Sequence, residues 1–170
     1  RKMTEANLLY GNLILIEREG LPDWGGVIEP PRMWEKGSVV STIYSGEYLL
    51  TYRITNRIAK YNGSSGAIFE SVLNGSYDSP LFNVIEVGEV YEGGSSMQRE
   101  YNFLSLYDVV KDLVKATGYE FALIPIKDKS GRLKFSARWY EKMGVDRDYV
   151  LEEGRDFEIT DSPMTEQGKL

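Results

Sequence analysis

The side chains that could carry chemistry in this chain are carboxylates and little else. It holds 26 Asp and Glu residues but no His and no Cys. That composition excludes Ser-His and Cys-His machinery, disulfides, thiolate metal sites and the commonest metal ligand. Acid–base work of the glycosidase kind needs two carboxylates flanking one bond. Three pairs have suitable spacing: Asp23 with Glu29, Glu152 with Glu153, and Asp156 with Glu158. The last two stand two residues apart in a β-type run, so they share one strand face, the solvated one. With so many acids such pairs arise by chance, and no raised-pKa environment can be read around any of them. No catalytic residue is assigned, and the chain is read as a non-enzyme.

Two further motifs fail on inspection. Asp146-Arg147-Asp148 has the spacing that opens a calcium loop, which needs a Gly at its sixth position and a Glu at its twelfth. Those positions hold Leu151 and Phe157, so no metal is assigned. Gly63-Ser64-Ser65-Gly66 precedes a helix in the manner of an anion nest, but the Lys-Ser/Thr of a phosphate loop is missing. It reads as a plain helix start. No cofactor is expected.

The remaining candidate is aromatic. GLPDWGGVIEPPRMW, residues 20–34, packs two tryptophans, three prolines and three glycines into one run. As a binding loop, Trp24 and Trp34 would stack on sugar rings, with Asp23 or Glu29 taking hydroxyls. As structure, Gly20 and Pro22 turn the chain, Gly25-Gly26 lets strands approach closely, and Pro30-Pro31 ends a strand. Tryptophan beside glycine commonly covers bare backbone. The structural reading is preferred, so Trp24, Gly25, Gly26, Pro30, Pro31 and Trp34 form an expected corner, with Trp24 buried.

The elements that must position these residues follow from periodicity. Residues 11–18 (GNLILIER) read as a buried strand, and Val27-Ile28 begins a second. Residues 38–44 and 48–54 read as two more, joined by a hairpin link at Ser45-Gly46-Glu47. A short helix follows over 63–75, capped by Ser64 or Ser65 and stopped at Asn74-Gly75. A loop with Asp78-Ser79-Pro80 leads to a strand over 83–90, kinked at Gly88. The clearest helix spans about 106–117, with Ser105 as cap, Asp108 completing the capping box and Gly118 ending it. Strands over 119–126 and 132–140 come next. In the latter Leu133, Phe135, Ala137 and Trp139 alternate with Lys134, Ser136 and Arg138, giving one buried and one wet face. A last β run covers 155–160 before a polar tail.

Composition bounds the rest. A chain of 170 residues suits one domain or two joined lobes. Its hydrophobic fraction of 42% argues against disorder. A net charge of −6 argues against general binding to a phosphate backbone. No apolar run approaches the roughly 18 residues of a membrane-spanning helix, and no stable membrane binding is expected. Because Arg1 is not an initiator Met, the chain is expected to be processed or a fragment.

The order of the pieces is more telling than any one of them. Ile16-Glu17-Arg18 leads to Trp24-Gly25-Gly26-Val27-Ile28, then Pro30-Pro31 and Trp34. The run 44–50 (YSGEYLL) and the helix 66–73 follow, then Thr117-Gly118-Tyr119-Glu120-Phe121, Gly131-Arg132-Leu133-Lys134-Phe135 and 151–156 (LEEGRD). Over roughly 8–160 this resembles the hub proteins at the distal end of long-tailed bacteriophage tails, related to the baseplate hubs of contractile tails and injection machines. The resemblance implies an α+β fold, mostly antiparallel β, with small β-barrel lobes and a short helical insertion. The first barrel lobe would be 1–56. The second, α/β lobe would be 57–160 with helices near 64–74 and 105–117, and 161–170 a polar tail. Family hubs run longer, so a truncated chain is expected.

The implied function is that of a virion structural component, a hub ring joining the tail tube to the tip. Partners would be two further copies of the chain, distal tail and tube proteins, and tip or fibre proteins, with DNA only in transit. The acidic balance suits a channel through which DNA passes without sticking. Ring contacts are expected at the hairpin around Ser45-Gly46 and the exposed face of 132–140. The alternative is a carbohydrate- or cell-wall-binding β domain using Trp24, Trp34 and Trp139, and a third reading is a carboxylate-based wall hydrolase.

Overall fold

The computed structural model describes residues 9–35, 38–55, 58–75 and 83–144, with the backbone alone over 31–35 and 38–39. The Asp146-Arg147-Asp148 motif, the pairs Glu152/Glu153 and Asp156/Glu158, the Asp78-Ser79-Pro80 loop, the run 155–160 and the tail 161–170 lie outside the described residues.

Strands β1 (Leu13–Ile16), β2 (Trp24–Glu35) and β3 (Ser38–Ser45) form one antiparallel sheet in that order. Contrary to expectation, β1 is only half-buried. Nor does Pro30-Pro31 end the second strand, which starts at Trp24 and runs on to Glu35. Proline has no N–H for the ladder, and the register slips between Glu29 and Arg32 to step over the pair.

After β3 the chain forms a 3-10 helix, Gly46–Tyr52, where a strand was expected, so there is no hairpin at Ser45-Gly46. Burial explains the difference. Gly46, Leu49 and Leu50 all face inward, and a strand would send Leu49 and Leu50 to opposite faces.

Strand β4 (Ala59–Gly63) pairs antiparallel with β6 (Met97–Tyr101) as a two-stranded ribbon. Helix α1 (Ser65–Asn74) follows β4; Ser64 is its cap, its Oγ accepting from Ala67 N at 3.2 Å. Strand β5 (Ile85–Val90) then leads through β6 into α2 (Leu106–Thr117). There Ser105 Oγ accepts from Asp108 N at 3.0 Å, and Gly118, at φ +75°, closes the last turn.

Strands β7 (Glu120–Lys127) and β8 (Leu133–Tyr140) form an antiparallel hairpin, and β5 lies parallel against the other side of β8. The sheet order is thus β5-β8-β7. This central place corrects two expectations for 132–140. Its supposed wet face is not uniformly wet, because Ser136 is buried too, and it is not an edge open to a neighbouring chain.

The fold is α+β with mostly antiparallel sheets, but the expected β-barrel lobes are not present among the described residues. Closure needs the last strand to bond the first, and here three open sheets remain. Their inner faces and both helices feed one core. Ile68, Phe69, Val72, Leu106, Val109, Val110 and Leu113 from the helices meet Phe135, Ala137 and Trp139 of β8. Val27, Leu49 and Leu50 belong to the same cluster, which therefore draws on residues to either side of position 56.

Candidate functional site

The corner is organised around Phe135. A Cβ added to Gly25 would stand 2.7 Å from Pro125 Cβ and 2.9 Å from the Phe135 ring, and one added to Gly46 only 2.6 Å from that ring. The fully buried Phe135 therefore sits in a slot of bare backbone from β2 and the 3-10 helix. This clamps the β1-β2-β3 sheet onto β8. Gly26 is covered by the Trp24 ring, which a Cβ there would meet at 2.7 Å. Trp24 is half-buried, however, not buried as expected. Pro30 is exposed, and the side chains of Pro31 and Trp34 are outside the description.

Asp23 and Glu29 face different partners. The Tyr52 hydroxyl donates to Glu29, at the β2 bulge. Asp23 instead lies in the field of Lys127, which makes a 2.6 Å ion pair with Glu17. Tyr52 also ends a strip in which Tyr44 stacks on Tyr48 at 4.4 Å and Tyr48 meets Tyr52 edge-on at 5.3 Å. Trp139 is unavailable as a sugar platform. It is fully buried, 5.1 Å from the Phe69 ring, with its Nε1 donating to Ser65 Oγ at 3.3 Å.

A polar cluster that the sequence reading missed ties β6 to α2. The Tyr101 hydroxyl donates to Asp112 at 2.9 Å, and Arg99 Nε lies 3.2 Å from the same oxygen. The Nε–H is not aligned for a hydrogen bond, so attraction of charges is what Arg99 supplies. Burial, then Asp112, raises the Tyr101 phenol above its ordinary range.

The described surface also carries an apolar knuckle. Ile54, Ile58, Phe103 and Leu104 are exposed at one end of the β4–β6 ribbon. Thr55, itself buried, holds the two segments together, its N–H donating to Leu104 O at 2.7 Å and its Oγ1 accepting from Leu104 N at 3.1 Å. Ile58 and Phe103 adopt φ of +57° and +53°, a conformation that costs a side-chain-bearing residue about 1–2 kcal/mol. Strain of that kind collects at active sites, ligand clamps and switch regions. No residue type flagged it in the sequence, since left-handed backbone is ordinarily announced by Gly or Asn.

Open depressions of about 520 and 570 Å³ lie at the two ends of the β5-β8-β7 sheet. Among the described residues no group of acids is arranged to hold a metal ion, and no helix is long and apolar enough to cross a membrane. Comparison with known proteins found no matching family model, no matching curated protein and no matching solved structure.

Proposed function

We propose that this chain is a structural subunit of a bacteriophage tail-tip hub, assembling with two further copies into a ring that joins the tail tube to the tip. The observation that carries the reading is the order of its motifs. Trp24-Gly25-Gly26-Val27-Ile28, the helix over 66–73, Thr117-Gly118-Tyr119-Glu120-Phe121 and Gly131-Arg132-Leu133-Lys134-Phe135 follow one another as in such hubs. Two features support a role in assembly. Three small sheets share one core, two of them locked together through the Phe135 slot, a close-packed arrangement suited to transmitting load. The exposed knuckle of Ile54, Ile58, Phe103 and Leu104 has the character of a protein-contact surface.

In this role the chain binds its neighbours and turns over no substrate, and its net charge of −6 keeps passing DNA from adhering. Immunogold labelling of virions from the phage that encodes the chain tests the placement. Gold confined to the distal end of the tail is expected; gold on the capsid, on fibres alone, or absent from virions would overturn it. A glycan array tests the carbohydrate-binding alternative, which now rests on Trp24 and the Tyr44-Tyr48-Tyr52 strip. Specific glycan binding abolished by Tyr44→Ala would favour that reading.

A further inference from the structure

We propose that copies of this chain associate head to tail, the β7–β8 hairpin tip of one entering the depression at the far end of the β5-β8-β7 sheet of the next. The tip is a rigid cation. Asp128 folds it by accepting from Ser130 N at 2.8 Å, Ser130 Oγ at 2.6 Å and Arg132 N at 3.0 Å. Of its four basic residues, Lys127 is held by Glu17 at 2.6 Å and Lys134 lies 3.9 Å from Glu86. Lys129 and Arg132 are exposed and have no carboxylate partner among the described residues.

The opposite end of the same strands has the complementary character. Its depression is lined by Glu89, Tyr91, Glu92, Tyr140, Glu141 and Lys142, three carboxylates against the Lys142 ammonium and the Arg138 guanidinium that donates to the Tyr140 hydroxyl at 3.5 Å. Glu89 is 71% exposed and only loosely approached by Arg138, at 4.0 Å. Tyr91, packed against Gly93 and Tyr119, and Tyr140 form the half-buried floor between these carboxylates.

These ends cannot meet within one molecule, because an eight-residue strand separates them by about 25 Å at ~3.3 Å per residue. Copies of a chain with net charge −6 repel each other over most orientations. The hairpin tip against the acidic depression is an orientation that attracts. Such a contact is heterologous, using a different surface on each partner, so it generates a ring where the rotation closes. The ring closure rests on the hub reading above; the contact itself does not.

Sedimentation velocity on the purified chain, at low and high salt, tests it. Wild type should show concentration-dependent association that dissolves near 1 M salt, where the Debye length falls to about 3 Å. Lys129→Glu with Arg132→Glu should weaken association at least about tenfold, and so should Glu89→Lys with Glu92→Lys. Mixing the two variants restores opposite charges at each contact and should return association, now in even-numbered species. Lys129→Gln with Arg132→Gln gives a milder check, and circular dichroism verifies folding throughout. A wild type monomeric at low salt, variants that associate like wild type, or folded variants that stay monomeric when mixed would each overturn the proposal. A chain that associates as described but is missing from tail tips would remove the hub reading and leave this contact standing.

Discussion

Phe135 joins the two halves of the described chain, and its slot sets the first expectation. With its ring 2.6 Å from where a Gly46 Cβ would lie, Gly46→Ala forces the ring or the 3-10 helix to shift, at a cost of about 1–3 kcal/mol. Phe135→Ala should cost about 3–5 kcal/mol. Trp24→Ala should cost clearly less, because Trp24 is half-exposed. Urea denaturation of the three variants checks the ranking, and Trp24→Ala as the most damaging would contradict the arrangement. Tyr101→Phe should lose about 0.5–1.5 kcal/mol for the bond to Asp112, read in the same way. Gly25-Gly26 announced close approach in the sequence. What approaches did not, because Phe135 and Pro125 are far along the chain and no local pattern names a partner.

At the scale of elements, legibility followed the locality of the forces. Helix α2 was plain because Ser105, Asp108 and Gly118 act within their own turns; Ser105→Ala should destabilise by about 1 kcal/mol, measured by thermal melting. The β4–β6 ribbon was hidden, since AKYNG and MQREY carry weak strand propensity and are held by pairing with each other. The 3-10 helix was misread because β-type residues there answer to the burial of Leu49 and Leu50. The β7–β8 turn carries a pH expectation. Hydrogen bonds from the Ser130 side chain, then the Arg132 N–H, lower the Asp128 carboxyl pKa. A lowered folded pKa means stabilisation that is complete above the unfolded value of about 3.9 and lost as pH falls through the folded value. The protection of the Ser130 and Arg132 amides, taken relative to the intrinsic exchange rate at each pH, should therefore fall upon acidification below about pH 4. Asp128→Asn should remove that pH response, and an unchanged response in this variant would contradict the assignment.

For the molecule as a whole, fold class was legible from alternating strands and two capped helices, but sheet closure was not. Strand β8 takes β5 in parallel on one side and β7 antiparallel on the other, and nothing in the runs 85–90 or 133–140 specifies that pairing. The expected barrels thus become three open sheets around one core, and the proposed contact between copies uses the hairpin tip in place of a strand face. On the proposed structural role, the purified chain should leave peptidoglycan intact in a turbidity assay. Clearing abolished by Glu29→Gln would contradict that role. Cryo-electron microscopy of the intact tail tip tests the proposed place of this chain as a hub subunit. Three copies of this chain arranged around the tail axis between tube and tip are expected, with the 127–134 hairpin of each against its neighbour. A single axial copy, or a copy outside the ring touching only a fibre, would contradict it.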